Sequence, residues 1–313
     1  MPEPSAYHAP VLAGAVTDLL GACRSVLDCT LGGGGHALAL LEAGVERVVG
    51  VDRDPDALES TAARLRSYTE AGRLITVESN YAALDDVPSL AGASFDGILL
   101  DLGVSSHQID DEDRGFTFRA GARLDMRMGG GGGGDATGTA ADLLNEADER
   151  ALAAVFRDYG DEPRAARIAH EIVRRRANRP FSTSDDLVGA IRAVLGARSG
   201  APDFARLFQA VRIAVNEEIT GLETALPALR DRLAPAGTMV VIAYHSGEDR
   251  LVKNAFREWS AACVCPPRQP VCTCRGRPLG STLTRRPISA SDDEITKNPR
   301  ARSARLRAWR SAA

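Results

Sequence analysis

Three groups of residues in this chain have the types and spacing to do chemistry. The first is the glycine run Gly32–Gly35, followed at once by His36. Glycines in a row let a ligand lie against bare backbone. The second is Asp52, about 20 residues beyond the glycines, where a nucleotide-binding α/β unit places the carboxylate that accepts two ribose hydroxyls. The third is Asp101, which ends a wholly apolar run and is followed by Gly103 and a polar, glycine-punctuated stretch. The glycine run lacks the GxGxxG spacing that seats a pyrophosphate on a helix N-terminus. A nucleoside cofactor without phosphates, S-adenosylmethionine, therefore fits this loop better than NAD.

The elements that must position these groups read as a Rossmann-like α/β pattern. Val26 to Thr30 is short and β-branched, His36 to Glu42 carries helix formers, and Arg47 to Val51 is a second buried strand. Pro55 opens a further helix, Leu74 to Glu78 is a third strand, and Phe95 to Leu102 a fourth, apolar enough to be covered on both faces. Asp101 at its tip lies where ligands of open α/β sheets are approached. Tyr81, just past the third strand, is placed either to meet an adenine or to fill the core. Thr238 to Tyr244 is another strand, with His245 at its tip, and the last strand is expected near Ser281 to Ile288.

Between these halves the pattern becomes helical. The stretch after Asp101, GVSSHQIDDEDRGFTFRAGARLDMRM, is too long for a simple connection and reads as an active-site loop. The glycine run Gly129–Gly134 reads as a disordered link. Amphipathic runs then begin near Ala140, Glu162 and Ser182, with Ser182 or Thr183 before Asp185 and Asp186 a good helix start. The expected organisation is a discontinuous α/β domain, 1–105 with 206–313, carrying a mainly helical insertion, 106–205, for substrate recognition.

Bulk composition narrows the class. With 313 residues, 38 Lys+Arg and 42 Asp+Glu, the net charge is −4, so polyanion binding requires local segregation of charge. Such segregation occurs at the C-terminal end, where Arg300, Arg302, Arg305, Arg307 and Arg310 run without an acid. Arg174, Arg175 and Arg176 form a second cluster. These arginines suit phosphate contacts, the alternative being a solvated basic helix. No run of about 18 apolar residues exists and the first residues lack signal-peptide character, so a cytoplasmic protein without membrane contact is expected. Four of the six cysteines form CxCx₆CxC between Cys263 and Cys274. That set could hold tetrahedral zinc, but its one-residue spacings are tighter than usual. The reading adopted is a reduced cysteine-rich loop with no metal.

Nine blocks in order resemble one family. They are HAPVL (8–12), DCTLGGGGH (28–36), DRDP (52–55), ILLDLGVSSHQID (98–110), RGFTF (114–118), LDMRM (124–128), FQAVRIAVNEE (208–218), YHSGEDRLVK (244–253) and NPRARSARLR (298–307). Together they look like the bacterial RsmH, or MraW, family of small-subunit ribosomal RNA cytosine-N4 methyltransferases. The resemblance implies a class I methyltransferase sheet with S-adenosyl-L-methionine as donor. It implies a cytidine in the decoding region of 16S rRNA as acceptor; whether naked RNA or an assembled small subunit is the substrate stays open, the need to reach one buried nucleotide favouring the assembled subunit. It places cofactor contacts on Gly34, Gly35, His36, Asp52, Tyr81, Asp101 and Gln108. Two departures stand out: Gly129 where the family has an acid after MRM, and Gly247 where it has leucine.

A cytosine amine is a poor nucleophile because its lone pair is conjugated with the ring. The site must align it with the methyl carbon and offer an acceptor for the departing proton. Asp101 is the first choice for organising this end. If the methionine amine of the donor occupies it, Ser105, Ser106, Asp125 or His245 must serve, and spacing does not choose among them. The rival class is an RNA-binding assembly factor that has lost the donor, which the intact Gly34, Gly35, Asp52 and Asp101 oppose. The oligomeric state is left open, a homodimer through the insertion being one arrangement.

Overall fold

Successive side chains of a strand face opposite ways, so a strand covered on both sides must be apolar throughout. In β1 (Ser25–Asp28) Val26 joins one core cluster and Leu27 the other. The same alternation splits Val48 and Val49 of β2 (Arg47–Asp52), and Leu99 and Leu100 of β4 (Phe95–Asp101), between the two clusters. With β3 (Leu74–Glu78), β5 (Leu233–Ala243), β6 (Gly280–Thr282) and β7 (Arg305–Ser311) these form a seven-stranded sheet. Its order is β3-β2-β1-β4-β5-β7-β6, parallel except where β7 runs antiparallel to β5 and β6. The strand order reverses at β1, between β2 and β4, which puts a ligand crevice beyond the carboxyl ends of those three strands. This is the Rossmann-like α/β sheet expected from the sequence.

The computed structural model describes residues 10–105, 108, 111–129, 138–266, 269 and 271–313. Two compact units divide the chain: Met1–Gly103 with Thr220–Ala313, which holds the sheet, and Val104–Ile219. One face of the sheet is covered by helices Ala13–Leu20 and Gly35–Glu42, through Val16, Leu20, Ala37 and Leu40. On the other lie Leu222, Leu226 and Leu229 of helix Glu218–Asp231, and Val252, Phe256 and Trp259 of helix Ser246–Trp259. No helix among the described residues is long and apolar enough to cross a membrane.

The second unit is helical, with helices Ala140–Glu146, Glu149–Asp158, Ala165–Arg176, Ser184–Leu195 and Ala201–Val215 around a core of its own. Asp142 accepts from the Thr139 N–H at 2.7 Å and Asp186 from the Thr183 N–H at 3.0 Å, so each helix start is closed by its own N3 acid. The insertion extends further than its sequence boundary of 205. Phe204, Leu207, Phe208 and Val211 of helix Ala201–Val215 pack with Leu152, Phe156 and Ile168 instead of against the sheet. Periodicity identifies an amphipathic helix, but not which core receives it. The glycine run beyond Gly129 lies outside the described residues.

The arginine-rich end differs from expectation too. Arg305–Ser311 is neither a helix nor an exposed tail but strand β7, inserted between β5 and β6, with Leu306, Ala308 and Trp309 fully buried. Arg307 is buried as well, and its guanidinium meets both oxygens of Asp249 at 2.7 and 3.0 Å. The stretch placed near Ser281 to Ile288 supplies only the short β6 and one isolated bridge, Ile288 to Leu306.

Candidate active site

Strands β2, β1 and β4 are neighbours, and each ends in an aspartate: Asp52, Asp28 and Asp101. Neighbouring strands lie about 4.8 Å apart, and the register pairs Asp28 with Gly50 and Leu99, so Asp52 and Asp101 flank Asp28 from two residues further along the same carboxyl edge. Asp101 and Asp52 were legible from the sequence. Asp28 was missed, although an acid directly before a glycine loop was the available signal.

The glycine loop is held from outside, by the helix Pro55–Arg64. Thr61 Oγ1 donates to the Gly32 carbonyl at 2.8 Å, and the Arg64 guanidinium donates to the Gly33 carbonyl. Gly34 has φ +68°, and a Cβ there would stand 2.5 Å from Thr61 Cγ2, so both backbone and space demand glycine. From the other side the Gly32 N–H donates to Asp52 Oδ2 at 2.7 Å, while Asp52 Oδ1 accepts from the Asp54 N–H at 3.0 Å. With the Arg53 N–H, three backbone donors reach that carboxylate, which leaves it acceptor capacity for a hydroxyl.

Asp28 is buried, with Oδ1 accepting from the Thr30 N–H at 3.2 Å and Oδ2 lacking any hydrogen-bond partner among the described residues. Burial, with the charges of Asp101 and Asp52, pushes its pKa up to about 6 against the pull of His36 and the Thr30 N–H. Buried acceptors are almost always satisfied, so Asp28 Oδ2 is where an incoming hydroxyl or cation gains most.

Asp101 is the hub of the row. Its own N–H donates to Thr30 Oγ1 at 2.7 Å, its Oδ1 accepts from the Tyr244 hydroxyl at 2.8 Å, and its Oδ2 lies 3.3 Å from His36 Nε2. That last contact has ion-pair distance without hydrogen-bond alignment. Burial works against a charged His36 ring, but the Asp101 and Asp28 carboxylates outweigh it and raise its pKa. Tyr244 is pushed up by burial first and by Asp101 second, so its hydroxyl stays a donor. Sequence reasoning missed Thr30 and Tyr244.

The other expected residues are placed differently. Tyr81 opens the 3-10 turn Tyr81–Asp86 after β3 and packs, half-buried, against the sheet core. His245 caps helix Ser246–Trp259: its Nδ1 accepts from the Glu248 N–H at 3.4 Å, and its Nε2 lies 3.2 Å from Glu248 Oε1. Glu248 in turn accepts from the Tyr244 N–H at 2.8 Å. His245 thus works as a helix cap, and Gly247 sits in that first turn.

Ser105, Gln108 and Asp125 belong to the inserted unit. Gln108 Oε1 accepts from the Ser105 N–H at 3.0 Å and its Nε2 donates to the Met128 carbonyl at 3.1 Å, a clamp on the LDMRM segment. Asp125 faces Arg127 through two bonds of 2.8 Å. Partial burial raises its pKa, but the Arg127 bonds prevail and hold it below the usual carboxylate range. An acid held so firmly ionised is a poor proton acceptor. Ser106 lies outside the described residues. Asn216 joins two motif blocks, its Nδ2 donating to the Met126 carbonyl at 2.7 Å and its Oδ1 accepting from the Met128 N–H at 2.8 Å.

Within the same unit Phe116, Phe118, Met126, Phe208, Gln209 and Arg212 line an open hollow of about 160 Å³. The Phe118 and Phe208 rings meet edge to face at 6.1 Å. Aromatic faces with an amide beside them suit an unstacked base.

The ribosomal RNA small subunit methyltransferase H of Gemmatimonas aurantiaca is 66% identical over 306 residues, covering 98% of this chain and 96% of that protein. Its namesake in Heliobacterium modesticaldum is 46% identical over 311 residues, covering 96% and 97%. Residues 5–312 match the MraW methylase family, and the chain belongs to that family.

Proposed function

We propose that this protein methylates the exocyclic N4 amine of a cytidine in the decoding region of 16S ribosomal RNA, within an assembled small subunit. It is a ribosomal RNA small-subunit methyltransferase whose donor is S-adenosylmethionine. The observation that carries the reading is the row Asp52, Asp28, Asp101 at the switch point of the sheet, joined by one glycine loop.

The residues present fit the donor. Asp52 would take the ribose hydroxyls, the loop from Gly32 to Gly35 gives backbone for close approach, and Asp28 Oδ2 is a buried acceptor for its cationic end. When bound, the donor supplies an electrophilic methyl on a sulfonium. Asp101 is fixed by Thr30 and Tyr244, so it offers a preorganised negative charge with little reorganisation cost. Its Oδ atoms keep lone pairs to receive the amine proton as the new bond forms. Asp125 and His245 are committed to Arg127 and to a helix cap, which favours Asp101 over those two as the acceptor. The Phe-lined hollow of the inserted unit suits an unstacked pyrimidine, with Gln209 among its lining residues.

Calorimetry with S-adenosylmethionine tests the donor half of this reading. Micromolar binding is expected, weakened at least tenfold by Asp52→Asn, and no heat at millimolar donor would overturn it. Assembled subunits against naked RNA test the acceptor half. Transfer to naked 16S RNA at the same rate would overturn the assembled substrate.

A further inference from the structure

Thiolates that share one zinc ion sit at the corners of a tetrahedron. A Zn–S bond of about 2.3 Å makes each edge of that tetrahedron about 3.8 Å. Cys263, Cys265, Cys272 and Cys274 have that arrangement: all four sulfurs lie within 4.8 Å of one another. Four of the distances are 3.8 Å for Cys263 to Cys272, 3.8 Å for Cys265 to Cys272, 3.8 Å for Cys274 to Cys263, and 3.4 Å for Cys272 to Cys274. We propose that these four cysteines form a structural zinc site. A reduced metal-free loop, the expectation from spacing, is replaced by this reading.

Three further observations support it. First, little else holds the loop among its described residues. It leaves helix Ser246–Trp259 and returns at Leu279, whose N–H donates to the Trp259 carbonyl at 2.8 Å. Between those ends its two valines, Val264 and Val271, are 39% and 71% exposed, so hydrophobic burial does not order it. A connection of this length without a core of its own needs a cross-link.

Second, backbone donors are aimed at sulfur. The Val264 N–H points at Cys274 Sγ from 3.4 Å, the kind of bond that stabilises a metal-bound thiolate by drawing off its charge. Third, the base of the loop is cationic and anchored. The Arg275 guanidinium donates to the carbonyls of Glu258 and Ala261, which fixes a positive charge one residue from Cys274. Four thiolates around Zn²⁺ carry a net −2, which that charge partly offsets.

The chemistry selects mononuclear zinc. Sulfurs 3.4–3.8 Å apart leave room for one ion and not for the body of an iron–sulfur cluster. All four thiols are at least partly exposed, where a redox-inert d¹⁰ ion survives air and a ferrous tetrathiolate would not. The one-residue spacings are compatible because each CxC pair supplies two neighbouring corners of the tetrahedron.

The test is metal analysis of the purified full chain, with X-ray absorption at the zinc edge. About one zinc per chain in a shell of four sulfurs near 2.3 Å is expected. The double variant Cys265→Ser/Cys272→Ser should lose at least nine-tenths of the metal. Because that variant could also unfold, the wild-type chain is stripped with a thiol-reactive mercurial and zinc release followed colorimetrically. Release should track the four thiols, and the stripped chain should become cleavable between 263 and 274. Less than about one-tenth of an equivalent after growth in zinc, two disulfides in the fresh protein, bound iron, or a nitrogen or oxygen shell would each overturn the proposal.

Discussion

The Tyr244 hydroxyl donates to Asp101 Oδ1 at 2.8 Å across 143 residues of chain, tying the end of β5 to the end of β4. The bond fixes the rotamer of the carboxylate that His36 approaches from its other oxygen. Removing it with Tyr244→Phe keeps the ring in its apolar surroundings. A hydrogen bond to a charged group contributes about 1.5–3 kcal/mol. The variant should lower kcat/KM by roughly tenfold or more, with a smaller change in donor affinity. Equal steady-state kinetics in the two proteins would show that Asp101 needs no such support.

Donor binding should depend on pH through Asp28. Its folded pKa, raised by burial to about 6, means that it is protonated below that value and charged above it. A cationic donor favours the charged form, so affinity should fall about tenfold per pH unit below pH 6 and level off above it. Asp28→Asn should flatten the profile at the weaker level. Calorimetry between pH 5 and 8 measures this, and a flat wild-type profile would remove Asp28 from the donor site.

The same shifts give the two units opposite acid responses. A raised acid binds more protons folded than unfolded, so the Asp28 contribution to stability falls as pH climbs from about 4 to about 6. The raised His36 acts in the same direction at higher pH. In the inserted unit Arg174 and Arg175 hold Glu171 down to about 2, and Arg206 outweighs the effect of burial to depress Glu162. Those contributions are present above about pH 4 and lost as pH falls through the folded values. Hydrogen exchange should show the sheet unit gaining protection between pH 7 and 5 without donor, and the helical unit losing it below pH 4. Parallel behaviour of the two would contradict these assignments.

Asp249→Ala should cost about 3–5 kcal/mol, because it leaves the buried Arg307 charge without its partner. Arg305→Ala, at an exposed position on the same strand, should stay within about 0.5 kcal/mol. Urea denaturation compares them, and equal small effects would mean that β7 contributes nothing through that pair.

The sheet and the cofactor loop were legible because their signals are local: apolar runs of strand length, four glycines, and acids at strand ends. The hub was not. Tyr244 and Asp101 are far apart in the chain, and no periodicity announces that a tyrosine hydroxyl will land on a given carboxylate. In β7 the alternation of Leu306 and Ala308 with Arg305 and Arg307 was a strand signal. Arginine content masked it, since Arg307 is buried only by virtue of Asp249, 58 residues earlier. Periodicity marks helix Ala201–Val215 as amphipathic, but its choice of core depends on Phe156 and Ile168, which meet it only in the folded unit. The cysteine cluster was legible as a motif, but spacing along the chain says little about distances between sulfurs once a loop doubles back.

The central claim is that the row Asp52, Asp28, Asp101 delivers a methyl group to a cytidine N4. Its most direct test uses small subunits from cells lacking this protein, incubated with the purified chain and S-adenosylmethionine carrying a deuterated methyl. Nucleoside mass spectrometry should find the label in N4-methylcytidine at a single decoding-region position, and nowhere with Asp101→Ala. Label on C5, on a ribose 2′-oxygen, or absent altogether would contradict the account.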